Sequence, residues 1–283
     1  MRLCSKILHH RNEIIQDGEI SMNDNGIVGE ATKLSSVSLI FPAYNEELNI
    51  RAAVLKGREA LGNYAQKLEI IIVNDGSVDR TAAIIDELAG EDADIVPMHH
   101  AKNLGYGAAV CTGFYRATGD YIFFSDSDMQ FDLGEIGKLV QWIDRYDIVA
   151  GYRAKRADPW PRKLNAWAWN RLVRLMLGIK VRDIDCAFKL FRRAIFDTIK
   201  LDSAGAMVNT ELLARATKHG FTIREVAVTH YPRKQGSQTG ANPKVILKAF
   251  KELFRLYAKM KAVPQPSAGR QQSGSADDQS SRV

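Results

Sequence analysis

The chain has 283 residues, 46% hydrophobic and 25% charged, with a net charge of +6. That length and composition fit one large globular domain or two small ones, and they exclude a wholly disordered chain, a collagen or a coiled coil. No run of about 18 uninterrupted apolar residues occurs, so no transmembrane helix is predicted, and the three scattered cysteines, Cys4, Cys111 and Cys186, exclude a disulfide framework or a C-x-x-C metal clip and point to a reducing compartment.

Residues 1–35 are mixed and polar with no sustained period, and are expected to form a loose leader. Met1–His10 lacks the apolar stretch of a secretory signal. From Val37 onward apolar runs alternate with helical patterns. Val37–Phe41 (VSLIF), Leu68–Val73 (LEIIIV), Ile95–Met98 and Tyr121–Phe124 (YIFF) read as buried strands. Glu46–Leu61, Asp79–Leu88 and Ala108–Ala117 read as helices between them. Short strands that are apolar on both faces, joined by helices, predict an α/β domain with a mostly parallel sheet. Right-handed crossovers then bring all the strand C-termini to one edge, where open α/β folds bind ligands. Beyond them, Asp147–Gly151 reads as a further strand, Met207–Thr217 as a helix carrying Glu211, and Pro243–Lys261 as an amphipathic helix. Residues 263–283 are rich in Gln, Ser, Gly and Asp, a composition that predicts a disordered tail.

The strand ends carry polar residues: Pro42-Ala43-Tyr44-Asn45-Glu46, then Asn74-Asp75-Gly76-Ser77, then Ser125-Asp126-Ser127-Asp128-Met129-Gln130. The topology therefore places Glu46, Asp75, Asp126, Asp128 and Gln130 on one rim. Residues two apart in an extended segment point the same way, so Asp126 and Asp128 can face one point with the Gln130 carboxamide. Oxygen donors of this kind suit Mg²⁺ or Mn²⁺, with phosphate oxygens completing the shell. Gly105-Tyr106-Gly107 lacks the third glycine of a dinucleotide fingerprint and reads as a tight turn entering a helix. No Walker-type phosphate loop is present.

Four segments, V-S-L-I-F-P-A-Y-N-E-E-x-N-I, I-I-I-V-N-D-G-S-V-D-R-T, K-N-L-G-Y-G-A-A and D-S-D-M-Q, together resemble glycosyltransferase family 2, and within it the dolichyl- and polyprenyl-phosphate sugar synthases. The resemblance runs from about Val37 to about Tyr231. It implies a single Rossmann-like GT-A domain over residues 36–235, a nucleotide-sugar donor, a divalent metal (Mg²⁺ or Mn²⁺) and inversion at the anomeric carbon. By the same resemblance Pro42, Ala43, Tyr44 and Glu46 line the nucleotide pocket. Asp75, flanked by Gly76 and Ser77, hydrogen-bonds the base. Lys102 belongs to the donor site, and Asp126, Asp128 and Gln130 form the metal and diphosphate site. Ser127 stands where the family usually has Ala.

In the second half, Arg153, Lys155, Arg156, Arg162, Lys163, Arg171 and Arg174 face a single acid, Asp158, with Trp160, Trp167 and Trp169 interleaved. Arginine and tryptophan together suit a phosphate-bearing lipid at a membrane interface, and no motif supports nucleic-acid binding. The resemblance implies that Arg153 and Arg162 hold the acceptor phosphate. Val181–Phe191 resembles the family's D-x-x-C-G-F-K-L-F signature, which puts Asp183 near the reacting centre with Asp185 as the fallback; Ala187 replaces the usual Gly. His230, Arg233 and Lys234 resemble the loop that closes over the donor diphosphate. The helix at 243–262 carries Ile246, Ala249, Phe250, Leu253, Phe254, Tyr257 and Met260 on one face and Lys244, Lys248, Lys251, Arg255 and Lys259 on the other. It fits an anionic membrane surface or docking on the catalytic domain. The expectation is an inverting hexosyltransferase using GDP-mannose or UDP-glucose and a polyprenyl-phosphate or other lipid-linked acceptor. It would be cytoplasmic and peripheral on the cytoplasmic membrane face. Transfer to a hydroxyl acceptor in polysaccharide or glycolipid synthesis, and a non-catalytic membrane-associated adaptor, are the alternatives.

Overall fold

The computed structural model describes residues 33–154, 169, 171–232 and 243–262. The leader at 1–32, Arg162, Arg233, Lys234 and the tail at 263–283 lie outside the described residues.

Seven strands form one sheet: β1 (Val37–Ala43), β2 (Leu68–Asn74), β3 (Ile95–His99), β4 (Tyr121–Ser125), β5 (Ile148–Arg153), β6 (Phe188–Arg192) and β7 (Ile223–Val228), in the order β3-β2-β1-β4-β6-β5-β7. β1 pairs in parallel with β2 and β4, β2 with β3, and β5 with β7. β1 is buried along its whole length, as its VSLIFPA sequence requires of a central strand with both faces covered. The crossovers are α1 (Ile50–Gly62), α2 (Thr81–Glu91) and α3 (Tyr106–Arg116). A 3₁₀ turn (Leu133–Ile136) and α4 (Gly137–Ile143) follow β4, and a helical segment at 171–177, α5, precedes β6. α6 (Ala194–Thr198), α7 (Val208–Lys218) and α8 (Pro243–Ala262) complete the set.

Two expectations need correction. β6 runs antiparallel to both β4 and β5, so its C-terminus points away from the rim that the other strand ends share. α1 begins at Ile50, not Glu46, because Asn45 takes a left-handed backbone (φ 56°) and the Glu46 amide donates to Thr81 Oγ1 at 2.8 Å instead of entering a helix. The core centres on Phe114 of α3, stacked on Phe196 at 4.4 Å and edge-on to Phe124 and Phe191.

α8 docks on this body. Leu253, Leu256 and Met260 are buried, and Lys259 pairs with Asp202 at 3.0 Å. The Phe250 ring meets Trp169 edge-on. Its buried stripe therefore runs through Leu256, while Phe254, expected on that stripe, is exposed.

Candidate active site at the carboxyl edge of the sheet

Among the described residues two non-glycines have left-handed backbones, Asn45 (φ 56°) and Met129 (φ 60°), and they sit in the turns that follow β1 and β4. Strain of this kind persists only where the surroundings over-determine it. At Asn45 they do: its amide donates to Ser77 Oγ at 3.0 Å, and its Oδ1 accepts from the Val78 amide at 2.9 Å. These bonds lock the Pro42–Glu46 and Asp75–Ser77 turns together. Pro42 and Ala43 are buried in β1 and Tyr44 is exposed. Glu46 is buried, with its carboxylate accepting from Asn49 Nδ2 at 2.7 Å.

Asp75 is buried, and its carboxylate faces the chain rather than the open rim. The Leu104 and Gly105 amides donate to its two oxygens at 2.9 Å each, and His100 Nδ1 lies 2.7 Å from Oδ1. Asp75 thus holds the loop that carries Lys102 and opens α3. Gly76 makes that closeness possible. Its φ is +67°, and a Cβ there would sit 2.4 Å from the Lys102 carbonyl carbon.

The D-S-D-M-Q segment follows β4 directly. Ser127, buried, donates to the Pro42 carbonyl at 2.8 Å and ties β4 to β1, a bond that an alanine there could not make. Asp126 Oδ1 accepts from the Tyr106 hydroxyl at 2.9 Å. Burial and the neighbouring Asp128 carboxylate push the Asp126 carboxyl up to about 7. Burial and Asp126 in turn push the Tyr106 phenol well above its ordinary value, so it stays a donor. The Asp128 carboxylate accepts from the Gln130 amide at 3.1 Å, and Gln130 Nε2 donates to the Tyr231 carbonyl at 3.1 Å. A carboxamide whose nitrogen donates still offers its oxygen. The donor set is all oxygen with two crowded carboxylates, which fits a hard divalent cation. Among the described residues no group of three or more His, Cys, Asp or Glu side chains gathers at one point, so a cation here would depend on Gln130 and on phosphate oxygens.

In the second half of the chain, Arg153 ends β5 and its guanidinium meets Asp183 in a two-bond fork. Its own charge is held more firmly by that pairing against the cost of burial. Glu225 braces the turn from β7, accepting from the Arg182 amide at 2.6 Å. His230 packs its ring on Phe131, 5.0 Å between centroids, and bridges it through the backbone. Glu211 is buried. Its carboxylate accepts from the Asp202 and Ser203 amides and from Arg215, so it holds a loop rather than facing the rim.

Four residues of this arrangement were not singled out from sequence: His100, Tyr106, Lys189 and Asn209. Tyr106 lies inside the G-Y-G turn and Lys189 is a charge inside the apolar run F-K-L-F, whereas His100 and Asn209 carry no such signal. Lys189 is fully buried, and burial pushes its ammonium below the ordinary lysine value.

Comparison with known proteins agrees with this architecture. The model for glycosyl transferase family 2 matches residues 38–200. Glycosyltransferase AglD of Haloferax volcanii is 35% identical over 207 residues, 70% of this chain and 33% of that protein. Undecaprenyl-phosphate 4-deoxy-4-formamido-L-arabinose transferase of Aeromonas hydrophila is 33% identical over 170 residues, 59% of this chain and 52% of that protein. The chain therefore spans between a third and about half the length of these relatives. Among solved structures, glucosyl-3-phosphoglycerate synthase from Mycobacterium tuberculosis, in complex with Mn²⁺, UDP and glucosyl-3-phosphoglycerate, aligns with a TM-score of 0.60 at 18% identity, covering 84% of each chain. At that identity the likeness establishes a shared fold.

Proposed function

The chain belongs to glycosyl transferase family 2, and we propose that it is an inverting hexosyltransferase that moves a sugar from a nucleoside-diphosphate sugar to a polyprenyl phosphate. The observation that carries the reading is the pair of crowded carboxylates, Asp126 and Asp128, just beyond β4, with the Arg153–Asp183 fork at the end of β5, which runs parallel to β4 two places along the sheet. One of the relatives is by name an undecaprenyl-phosphate sugar transferase.

In this reading Pro42, Ala43, Tyr44, Glu46, Asp75, Gly76, Ser77, Lys102 and Arg233 belong to the donor site, with Asp75 acting through the loop it holds. Asp126, Asp128 and Gln130 hold Mg²⁺ or Mn²⁺, whose chemistry is to neutralise the charge that develops on the diphosphate leaving group. An acceptor phosphate oxygen attacks the anomeric carbon from the face opposite the leaving diphosphate. It is already ionised at neutral pH and needs no base. Two of the five Arg153 N–H donors face Asp183, leaving the others for the acceptor phosphate, with Arg162 as its partner in that role. A hydroxyl acceptor needs a base, and an Asp183 carboxylate engaged twice by a guanidinium is a weak one, so the geometry favours the phosphate. The non-catalytic adaptor fares worse, since it has no use for two crowded rim carboxylates. The catalytic unit spans residues 36–235, after a leader at 1–35 and before the tail at 263–283. The exposed Lys251, Arg255 and Lys261 of α8 suit an anionic, cytoplasmic-face membrane surface.

The reading is tested by offering labelled GDP-mannose and UDP-glucose with either a polyprenyl phosphate or the corresponding free polyprenol. Label entering only the phosphate-bearing lipid is expected; label entering only the polyprenol would overturn the acceptor assignment.

A further inference from the structure

Lys189 is the second residue of β6, opposite Phe124 of β4, with none of its surface exposed. Its ammonium donates to the carbonyls of Ile184 (3.2 Å) and Cys186 and to Asn209 Oδ1 (3.2 Å). All three acceptors are neutral. Among the described residues no carboxylate hydrogen-bonds this ammonium, although the charges of Asp183 and Asp185 act in its favour; its burial is expensive, and an apolar side chain of the same length would fill the space.

What the charge secures is visible on both sides of it. On one side the polar Asn209 side chain faces the Tyr106 hydroxyl, which donates to Asp126 Oδ1 at 2.9 Å. On the other, Ile184 and Cys186 belong to the turn that starts at Asp183, where the Cys186 amide closes on the Asp183 carbonyl at 3.4 Å. Asp183 in turn grips Arg153. Lys189 therefore sits between Asn209, which faces the Tyr106–Asp126 hydrogen bond, and the 183–186 turn, whose Asp183 grips Arg153.

We propose that Lys189 is a positioning residue for the transfer reaction, its ammonium fixing Asp126 and the Arg153–Asp183 pair in one spatial register through Asn209 and Tyr106 on one side and the 183–186 turn on the other. The inference rests on the proposed reaction and assigns a role to a residue that touches neither substrate.

Two variants test it. Lys189→Met keeps the length and removes the charge, while Asn209→Leu removes the amide on the Tyr106 side without altering β6. The Arg153 amide donates to Asp183 Oδ2, so its hydrogen exchange reads the pair with no substrate present. In Lys189→Met, Arg153 exchange is expected to quicken about tenfold while Leu39–Phe41 stay protected. In both variants kcat falls about 100-fold with little change in donor KM. Wild-type kcat in folded Asn209→Leu, or unchanged Arg153 exchange in folded Lys189→Met, overturns the proposal. So does loss of protection throughout β1, which would make Lys189 a general structural element. If Lys189→Met does not fold, the kcat of Asn209→Leu decides alone. A wild-type protein that transfers no sugar overturns the proposed function instead, and Arg153 exchange still decides this inference.

Discussion

The Arg153 guanidinium and the Asp183 carboxylate lie side by side, Nε to Oδ2 and Nη2 to Oδ1, both at 2.7 Å, and the Arg153 amide donates to Oδ2 at 3.2 Å. Thirty positions of sequence separate them, yet the pair fixes the end of β5 against the turn that leads into β6. Such a fork neutralises the carboxylate and orients the remaining guanidinium donors, which is what a group facing an anionic acceptor requires.

Asp183→Asn therefore has a separable signature. It leaves Arg153 half-paired in a largely buried site and is expected to lower stability by about 3 kcal/mol. The acid limb of the pH profile of kcat/KM should survive, because the carboxylate orients rather than removes a proton. Disappearance of that limb in the variant would identify Asp183 as the base and favour a hydroxyl acceptor.

The loop at 203–205 lies directly on the start of α3. A Cβ at Gly107 would come within 2.4 Å of the Ser203 carbonyl oxygen and 2.5 Å of that of Gly205. Gly107→Ala must push the loop away from the helix that carries Tyr106. A stability loss of about 2 kcal/mol is expected, with weaker nucleotide-sugar binding by calorimetry. Unchanged stability and affinity would show that the loop is not held there.

Glu69 gives a pH test of the fold. Burial works to raise its carboxyl, but hydrogen bonds from Ser38, Thr118 and Gly119 outweigh it and hold the group below its ordinary value of 4.5. A lowered folded value stabilises the protein above pH 4.5, and that contribution is lost as pH falls through the folded value. Glu69→Gln is expected to cost about 1 kcal/mol at neutral pH, and its Tm should converge with that of the wild type below pH 4.5. A gap that stays constant down to acid pH would contradict the assignment.

Cys111 and Cys186 are both pushed up to about 12, chiefly by burial. Thiols held protonated in this way are poor nucleophiles. Peptide mapping after iodoacetamide treatment at pH 8 should find both unmodified in the folded protein and modified in guanidinium. Rapid labelling of either in the native state would contradict the packing around it.

Much of this architecture can be read from the chain because parallel strands buried on both faces announce themselves as apolar runs. VSLIF, LEIIIV and YIFF are three of them, and their ends gave the rim. β6 and β7 do not, for a physical reason. FKLFR carries a charge at its second position whose partners lie outside the strand, and IREVAV lies at the sheet edge, where Arg224 points to solvent beside Trp142. The D-S-D-M-Q carboxylates were visible for their position after a strand. The direction in which Asp75 faces was not, since it depends on the 104–105 amides folding back over Gly76. The α8 stripe shows the same limit. Helical periodicity gives an apolar face, but the shape of the body it lands on decides that Leu256 is buried and Phe254 is not.

In the proposed reaction the Asp126–Asp128 rim, with a divalent cation, supports sugar transfer to a lipid phosphate. The most direct measurement is label transfer from a nucleotide sugar into organic-extractable polyprenyl phosphate, comparing wild type with Asp128→Ala, with Mg²⁺ or Mn²⁺ and with EDTA. Lipid label is expected from the wild type only, abolished by EDTA and by the substitution. Near-wild-type turnover in Asp128→Ala, or label that survives EDTA, would contradict it.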